Sequence, residues 1–153
     1  MSEVYFDVSD LYYKVKRTFN KKVNYKLLMD FLIAKFGEVT KAEAFGCQTG
    51  NEAQGFITHL RGADINVHYR RPKTFHVSEQ EVKTCNWNVD ITISALCTES
   101  KTLIFCSSNL DLIPLYKHLQ NMGKKVVVIG CGVPSIVKNI VDVYENIPEE
   151  VLK

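Results

Sequence analysis

No segment of the chain is apolar over the roughly eighteen residues that a membrane-spanning helix needs. The first residues, Met1-Ser2-Glu3-Val4-Tyr5, also lack a basic segment followed by an apolar one, which is the pattern of a cleaved signal peptide. The sequence therefore predicts neither a membrane anchor nor secretion, and we expect an intracellular protein, cytoplasmic or in another cell compartment.

Cysteine and histidine patterns typical of structural sites are absent as well. The five cysteines, at positions 47, 85, 97, 106 and 131, are odd in number and no two have CxxC spacing. This argues against a disulfide framework and against a structural zinc site. The four histidines have no metal-ligand spacing either. Cys97 and Cys106 lie in apolar stretches, where a free thiol is expected to pack as a small hydrophobic group.

The net charge of +2 is too small to indicate a partner, but the basic residues are clustered. One cluster comprises Lys14, Lys16, Arg17, Lys21 and Lys22, and the other comprises Arg70, Arg71 and Lys73. Such clusters can neutralise phosphates. A solvated helix face or an ordinary loop would account for them equally well.

What the sequence does contain is the composition of one globular domain over residues 1–153, with 46% hydrophobic and 24% charged residues. Strand and helix patterns alternate along it. Strands are predicted at residues 4–6, 39–46, 65–69, 102–106, 125–129 and 141–144, and helices at residues 24–36, around 56–60, at 89–97 and 110–122, and from Pro134. This alternation predicts a three-layer α/β/α domain with a mostly parallel central sheet.

Two segments around residue 80 have less regular patterns. Residues 72–86 are polar, begin with Pro72 and lack periodicity, so we predict a long loop there. In the helix that follows, Val89, Ile93, Leu96 and Cys97 mark one face.

Acidic residues follow the predicted strands, where ligands bind to parallel sheets. Asp7 ends the first strand and Asp10 follows it, Asn109 and Asp111 follow the strand 102–106, and Asp90 lies at the start of its helix. If the first and fourth strands are adjacent, these side chains converge on one edge of the sheet.

Converging carboxylates need a compensating charge. Two of them about 4 Å apart repel by roughly 4 kcal/mol at an effective dielectric constant near 20. A bound cation removes that repulsion, and oxygen ligands suit Mg²⁺ or Mn²⁺. Helix capping is the alternative, because Asp10 and Asp90 near helix N-termini would suit the helix dipole.

Five motifs, in order along the chain, resemble the NYN domain family of the PIN-like nuclease superfamily. They are Phe6-Asp7-Val8-Ser9-Asp10-Leu11, Asn88-Val89-Asp90-Ile91, the segment from Ser107 to Leu115, Gly123-Lys124-Lys125-Val126-Val127-Val128, and Asp142-Val143-Tyr144. The resemblance implies a PIN-like fold and metal-site roles for Asp7, Asp90 and Asp111. Four positions depart from the family pattern: Asp10 replaces an asparagine, Asn109 an aspartate, Ser108 a glycine and Leu112 a phenylalanine.

The resemblance implies a metal-dependent ribonuclease that cleaves RNA, single-stranded or structured, with Mg²⁺ or Mn²⁺ activating water. Asp7, Asp90 and Asp111 would be the catalytic ligands, and Asp10 or Asn109 an outer ligand. Tyr12, Tyr13, Lys14 and Arg17 could hold the strand, with Arg70, Arg71 and Lys73 on the other wall. The alternative is a non-catalytic domain that binds nucleic acid or a protein partner, including a second copy. A phosphatase or receiver-like domain is a third and weaker reading.

Overall fold

The central sheet consists of six parallel strands. A computed structural model describes residues 1–47, 52–70, 73–77, 80–84 and 87–153. The parallel strands are β1 (Ser2–Asp7), β2 (Val39–Cys47), β3 (Asn66–Arg70), β6 (Thr102–Cys106), β7 (Lys125–Gly130) and β8 (Val143–Asn146), while β4 (Lys73–Val77) and β5 (Gln80–Thr84) form a separate antiparallel pair. The helices are α1 (Val8–Phe19), α2 (Tyr25–Phe36), α3 (Glu52–Gly62), α4 (Asn88–Leu96), α5 (Ile113–Asn121) and α6 (Ser135–Ile140).

Strand order places the first strand at the centre of the sheet. The order is β3-β2-β1-β6-β7-β8, and every neighbouring pair is parallel. The chain therefore winds outward from β1 in one direction and from β6 in the other. The predicted parallel sheet is confirmed, and the first and fourth of the predicted strands, β1 and β6, are adjacent. Between β1 and β6 lies the switch in strand order at which ligands bind in this class of fold.

Helices cover both faces of this sheet, as the three-layer prediction requires. Alternate residues of β1 point to opposite faces, so Phe6 packs in one core and Tyr5 in the other. The first core contains α1, α2 and α3 side chains such as Leu11, Leu28 and Leu60. The second contains α4, α5 and α6 side chains such as Ile91, Tyr116 and Val137. Among the described helices, none has the length and apolar character needed to span a bilayer.

Helix ends follow their predicted signals closely. The Asn24 side chain caps α2 by accepting a hydrogen bond from the Leu27 N–H at 3.3 Å. Gly37 and Gly123 lie at the ends of helices with φ of +86° and +81°, a backbone conformation that residues with a Cβ rarely adopt. α6 begins one residue later than predicted, because Pro134 is its N-cap and Ser135 its first helical residue.

The prediction of a long loop over residues 72–86 is wrong where the structure describes this segment, at residues 73–77 and 80–84. β4 and β5 pair there in antiparallel register, from Lys73 opposite Thr84 to Val77 opposite Gln80. The pairing satisfies the backbone hydrogen bonds of a polar segment whose side chains show no alternation of apolar and polar residues. The polar composition therefore concealed a hairpin.

The buried face of α4 also differs from the prediction. Val89, Ile93 and Leu96 are 69%, 58% and 41% exposed, whereas Ile91 and Ala95 are buried. Both stripes of this short helix are apolar, so periodicity cannot select the one that faces the core. Cys97, expected to pack as a buried thiol, is exposed, while Cys106 is buried as predicted.

We expect Asn24→Ala to lower the free energy of unfolding by about 1 kcal/mol, because it removes the side-chain cap of α2. Urea denaturation measures this change. Asn24→Asp should retain most of the stability, because a carboxylate oxygen can accept the same Leu27 N–H. Equal losses in the two variants would contradict a capping role.

Candidate functional site

The candidate site lies at the carboxyl ends of β1 and β6. Asp7 is the last residue of β1 and also the N-cap of α1, where its Oδ1 accepts a hydrogen bond from the Asp10 N–H at 3.5 Å. Asp10 follows in the first turn of α1. The strand-to-helix turn therefore sets two carboxylates at the switch point, as the sequence predicted for the edge of the sheet.

Two serines from the end of β6 hold these carboxylates. Ser107 Oγ donates a hydrogen bond to Asp7 Oδ2 at 3.0 Å. Ser108 donates its backbone N–H to Asp10 Oδ2 at 2.8 Å, and its Oγ lies 2.7 and 2.9 Å from the two Asp10 carboxylate oxygens. Both serines are buried. Neither serine was predicted as a site residue, although their place directly after β6 was a signal for both.

The environment of Asp7 disfavours its ionised form. The residue is only 8% exposed. Burial, together with the neighbouring negative charge of Asp10, raises the pKa of Asp7 from 3.8 to about 6, although the hydrogen bonds from Ser107 and the Asp10 N–H lower it in part. The two carboxylates are therefore close enough to repel each other appreciably.

A second hydrogen-bonded group lies beside this pair. Asn109 Oδ1 accepts from the Asp111 N–H at 2.9 Å, and Asn109 Nδ2 donates to Asn88 Oδ1 at 2.8 Å. Asn88 Nδ2 in turn lies 3.4 Å from Asp111 Oδ2. The Asn109 N–H donates to Ser107 Oγ at 3.1 Å, which links this group to Asp7. Asn88, at the start of α4, is a site residue that was not predicted, because its contacts with Asn109 and Asp111 join segments that are distant in the sequence.

Of the predicted metal ligands, the structure sets Asp7 beside Asp10, and it joins Asn109 to Asp111 by a hydrogen bond. Asp90 lies half-buried in the first turn of α4, two residues after Asn88. Across the described part of the chain, no three Asp, Glu, His or Cys side chains form a group that could hold a metal ion. A shared site of Asp7, Asp90 and Asp111 therefore stays a prediction, and the carboxylates that the structure brings together are Asp7 and Asp10.

The exposed face of α1 extends from this site. Tyr12 and Tyr13 are 41% and 65% exposed, with ring centroids 5.3 Å apart in an edge-on arrangement. Lys16 Nζ lies 5.4 Å from the centroid of the Tyr12 ring, and Arg17 is exposed. Lys14 is half-buried beside Gly132. Two aromatic rings and several cations thus share the surface that begins at Asp7.

The second predicted basic cluster is only partly described. Arg70 ends β3 and Lys73 begins β4, but their side chains lie outside the described part of the structure, and so does Arg71.

In the absence of divalent cations, we expect the stability of the wild type to fall relative to that of Asp7→Asn as pH rises from 4 to 7. The folded-state pKa of Asp7 lies above its ordinary value, so the native state binds more protons than the unfolded state between pH 3.8 and about 6. A pKa raised by about two units, at about 1.4 kcal/mol for each unit, predicts that the free energy of unfolding of the wild type falls by roughly 3 kcal/mol relative to that of Asp7→Asn.

Urea denaturation at pH 4, 5, 6 and 7 in the presence of a chelator measures this difference. Other carboxyl groups titrate in both proteins and cancel in the comparison. Parallel pH profiles for the two proteins would contradict the raised pKa.

Comparison with known proteins agrees with this architecture. A model of the NYN domain family matches residues 2–147. The fold is similar to the crystal structure of a protein of unknown function from Vibrio parahaemolyticus, with a TM-score of 0.83, 21% sequence identity, and coverage of 99% of this chain and 95% of that one. At this identity the likeness concerns the fold alone. No curated protein sequence matches the chain significantly. Because the family model spans nearly its whole length, the chain belongs to the NYN domain family and has a nuclease-like fold of the PIN type.

Proposed function

We propose that the protein is a metal-dependent ribonuclease whose metal is held principally by Asp7 and Asp10. The observation that carries this proposal is the pair of carboxylates fixed side by side by Ser107 and Ser108 at the switch point of the sheet. The NYN family is generally metal-dependent, and its fold is nuclease-like.

The residues present fit a hard divalent cation. Asp7 and Asp10 offer oxygen atoms only, which suits Mg²⁺ or Mn²⁺. Mg²⁺ in such sites is commonly held by one or two carboxylates, with waters and substrate phosphates completing its coordination, so a three-carboxylate group is not required. The raised pKa of Asp7 reflects burial and a repulsion that a cation would remove.

The remaining polar residues would act around this pair. When bound, the cation supplies positive charge to the phosphodiester and lowers the pKa of an attacking water. Asp90 and Asp111 would accept hydrogen bonds from waters at the rim of the site. Asn109 would orient Asp111, because Asn109 Oδ1 accepts a hydrogen bond from the Asp111 N–H. Asp10, which is an acid where the family has asparagine, would supply the negative charge that Asn109 lacks.

The surface of α1 would bind the RNA strand. Bases can stack on exposed aromatic rings such as Tyr12 and Tyr13, at about 1–3 kcal/mol per base. Lys14 and Arg17 would contact phosphates, which makes binding salt-dependent. A contribution of Arg70, Arg71 and Lys73 to RNA binding stays a prediction.

One observation favours a second function, a non-catalytic domain that binds nucleic acid or protein. Both polar atoms of the Asn109 side chain are engaged, one by the Asp111 N–H and the other by Asn88. An amide held in this way cannot accept a proton from water. A binding domain built on the nuclease fold would tolerate this arrangement, whereas a nuclease must compensate for it through Asp10.

Initial rates of cleavage of a single-stranded RNA in Mn²⁺ test the proposal. We expect cleavage by the wild type, loss of cleavage on chelation, and a large loss in Asp7→Asn. Cleavage that is equal in the wild type and Asp7→Asn would indicate contamination or another site. RNA binding without cleavage by the wild type, with cleavage appearing in Asn109→Asp, would support the binding domain instead.

A further inference from the structure

The hydroxyl group of Tyr116 is fully buried and contacts no polar partner among the described residues. Tyr116 lies on α5 and has 0% exposure. Its Oη makes no hydrogen bond to a protein group. A buried hydroxyl without a partner costs about 1–3 kcal/mol, so such groups in native proteins are commonly satisfied by an ordered water.

The Tyr116 ring packs in the second core, near the ends of β1 and β6 that carry the candidate site. The ring packs on Phe105 with centroids 5.0 Å apart, and Phe105 stacks on Tyr5 at 5.2 Å. Side chains two residues apart in a strand lie on the same face. Asp7 is two residues after Tyr5, and Ser107 is two residues after Phe105. These are the two side chains joined by a hydrogen bond at the candidate site.

The direction of α5 also favours an orientation of the Tyr116 hydroxyl toward the candidate site. α5 begins just after Asn109 and Asp111, at the carboxyl edge of the sheet. Long side chains on a helix lean toward its N-terminus. We therefore expect the Tyr116 hydroxyl to face the edge of the sheet where Asp7 lies.

Electrostatics agree with this placement. Burial is the largest cause that raises the pKa of Tyr116, and the negative charge of Asp7 is the next, with a smaller contribution from Asp10. The hydroxyl thus lies within the field of both carboxylates, although it makes no direct hydrogen bond to either.

We propose that Tyr116 is a positioning residue of the candidate site, whose hydroxyl donates a hydrogen bond to a buried water that in turn donates to the Asp7 carboxylate. The water satisfies Tyr116 and restrains Asp7 from the side opposite to α1. This inference rests on the proposed function for its consequence, the affinity of the site for a divalent cation.

Stability of Tyr116→Phe in the presence of a chelator tests the water bridge without any metal. An unbridged hydroxyl is destabilising, so its removal would raise the melting temperature. A bridged hydroxyl is part of a hydrogen-bond chain, and we expect its removal to lower the melting temperature by a few degrees. A rise in melting temperature would overturn the proposal.

Calorimetric titration with Mn²⁺, in the absence of RNA, tests the positioning role. We expect Tyr116→Phe to weaken Mn²⁺ binding about 10-fold, in the range of losses seen when a group that orients a metal ligand is removed. Tyr5→Phe is the matched control, because Tyr5 stacks on the same Phe105 but donates its hydroxyl to Glu3 at 2.6 Å. It should change stability while leaving Mn²⁺ affinity within about twofold.

Equal Mn²⁺ affinities in Tyr116→Phe and Tyr5→Phe would overturn the positioning role even if the melting temperature falls. Absence of Mn²⁺ binding by the wild type would contradict the proposed metal-dependent function itself. In that case the sign of the change in melting temperature still decides whether the Tyr116 hydroxyl is hydrogen-bonded.

Discussion

Asp10→Asn is expected to reduce Mn²⁺-dependent RNA cleavage at least about 100-fold, nearly as much as Asp7→Asn. Removing a residue that only orients a ligand commonly costs 10–100-fold, and Asp10 is proposed to be a ligand. The structure gives the reason to group these two residues, because the charge of Asp10 contributes to the raised pKa of Asp7. Asparagine can still accept the Ser108 N–H, so the fold should be retained.

Asn109→Asp should change the rate of Mn²⁺-dependent RNA cleavage little. The Asp10 carboxylate already provides the second charge at the site, so another carboxylate adds repulsion without a new role. Initial rates in Mn²⁺ for the wild type, Asp7→Asn, Asp10→Asn and Asn109→Asp measure these effects.

Asp30→Asn is the control for the loss of one carboxylate, because Asp30 is an exposed residue of α2 outside the candidate site. It should cleave at the wild-type rate. A wild-type rate in Asp10→Asn, with a large gain in Asn109→Asp, would show that Asn109 and not Asp10 occupies the position that matters.

Phe105→Ala is expected to lower the free energy of unfolding by about 3–5 kcal/mol, a large part of the 5–15 kcal/mol typical of a domain. Phe105 lies in β6 and is 1% exposed, with its ring between Tyr5 and Tyr116. The substitution leaves a cavity and removes two aromatic contacts. Because β6 carries Ser107 and Ser108 at its end, metal binding should weaken together with stability.

Urea denaturation measures this effect, with two variants for comparison. Phe105→Leu refills part of the volume and should lose much less. Ile93→Ala removes an aliphatic side chain that is 58% exposed and should change stability by less than about 0.5 kcal/mol. A loss for Phe105→Ala as small as that for Ile93→Ala would contradict the described core.

Much of the sheet could be predicted because its strands are short apolar runs bounded by clear signals. The strand from Thr102 to Cys106 has the predicted bounds. Gly123, which follows α5, has the positive φ expected at the end of a helix. Asp7 could be placed at the edge of the sheet by elementary topology, since parallel strands end on the same side. These inferences need only local pattern and the chain direction.

What could not be predicted depends on contacts between distant segments. The hydrogen bonds that join Ser107 to Asp7 and Ser108 to Asp10 link residues about a hundred positions apart, and no local pattern contains them. Asn88 is hidden for the same reason. The rotation of α4 was missed because both of its stripes are apolar, and its packing with Trp87 in the second core decides between them.

Anomalous X-ray scattering from crystals soaked in Mn²⁺, recorded above and below the manganese absorption edge, tests the central claim most directly. We predict one strong peak bridging the carboxylates of Asp7 and Asp10, at about 2.0–2.6 Å from an oxygen of each, and its loss in crystals of Asp10→Asn. A peak held by other acidic residues, or none at Mn²⁺ concentrations that support RNA cleavage, would contradict the assignment of this pair as the metal site.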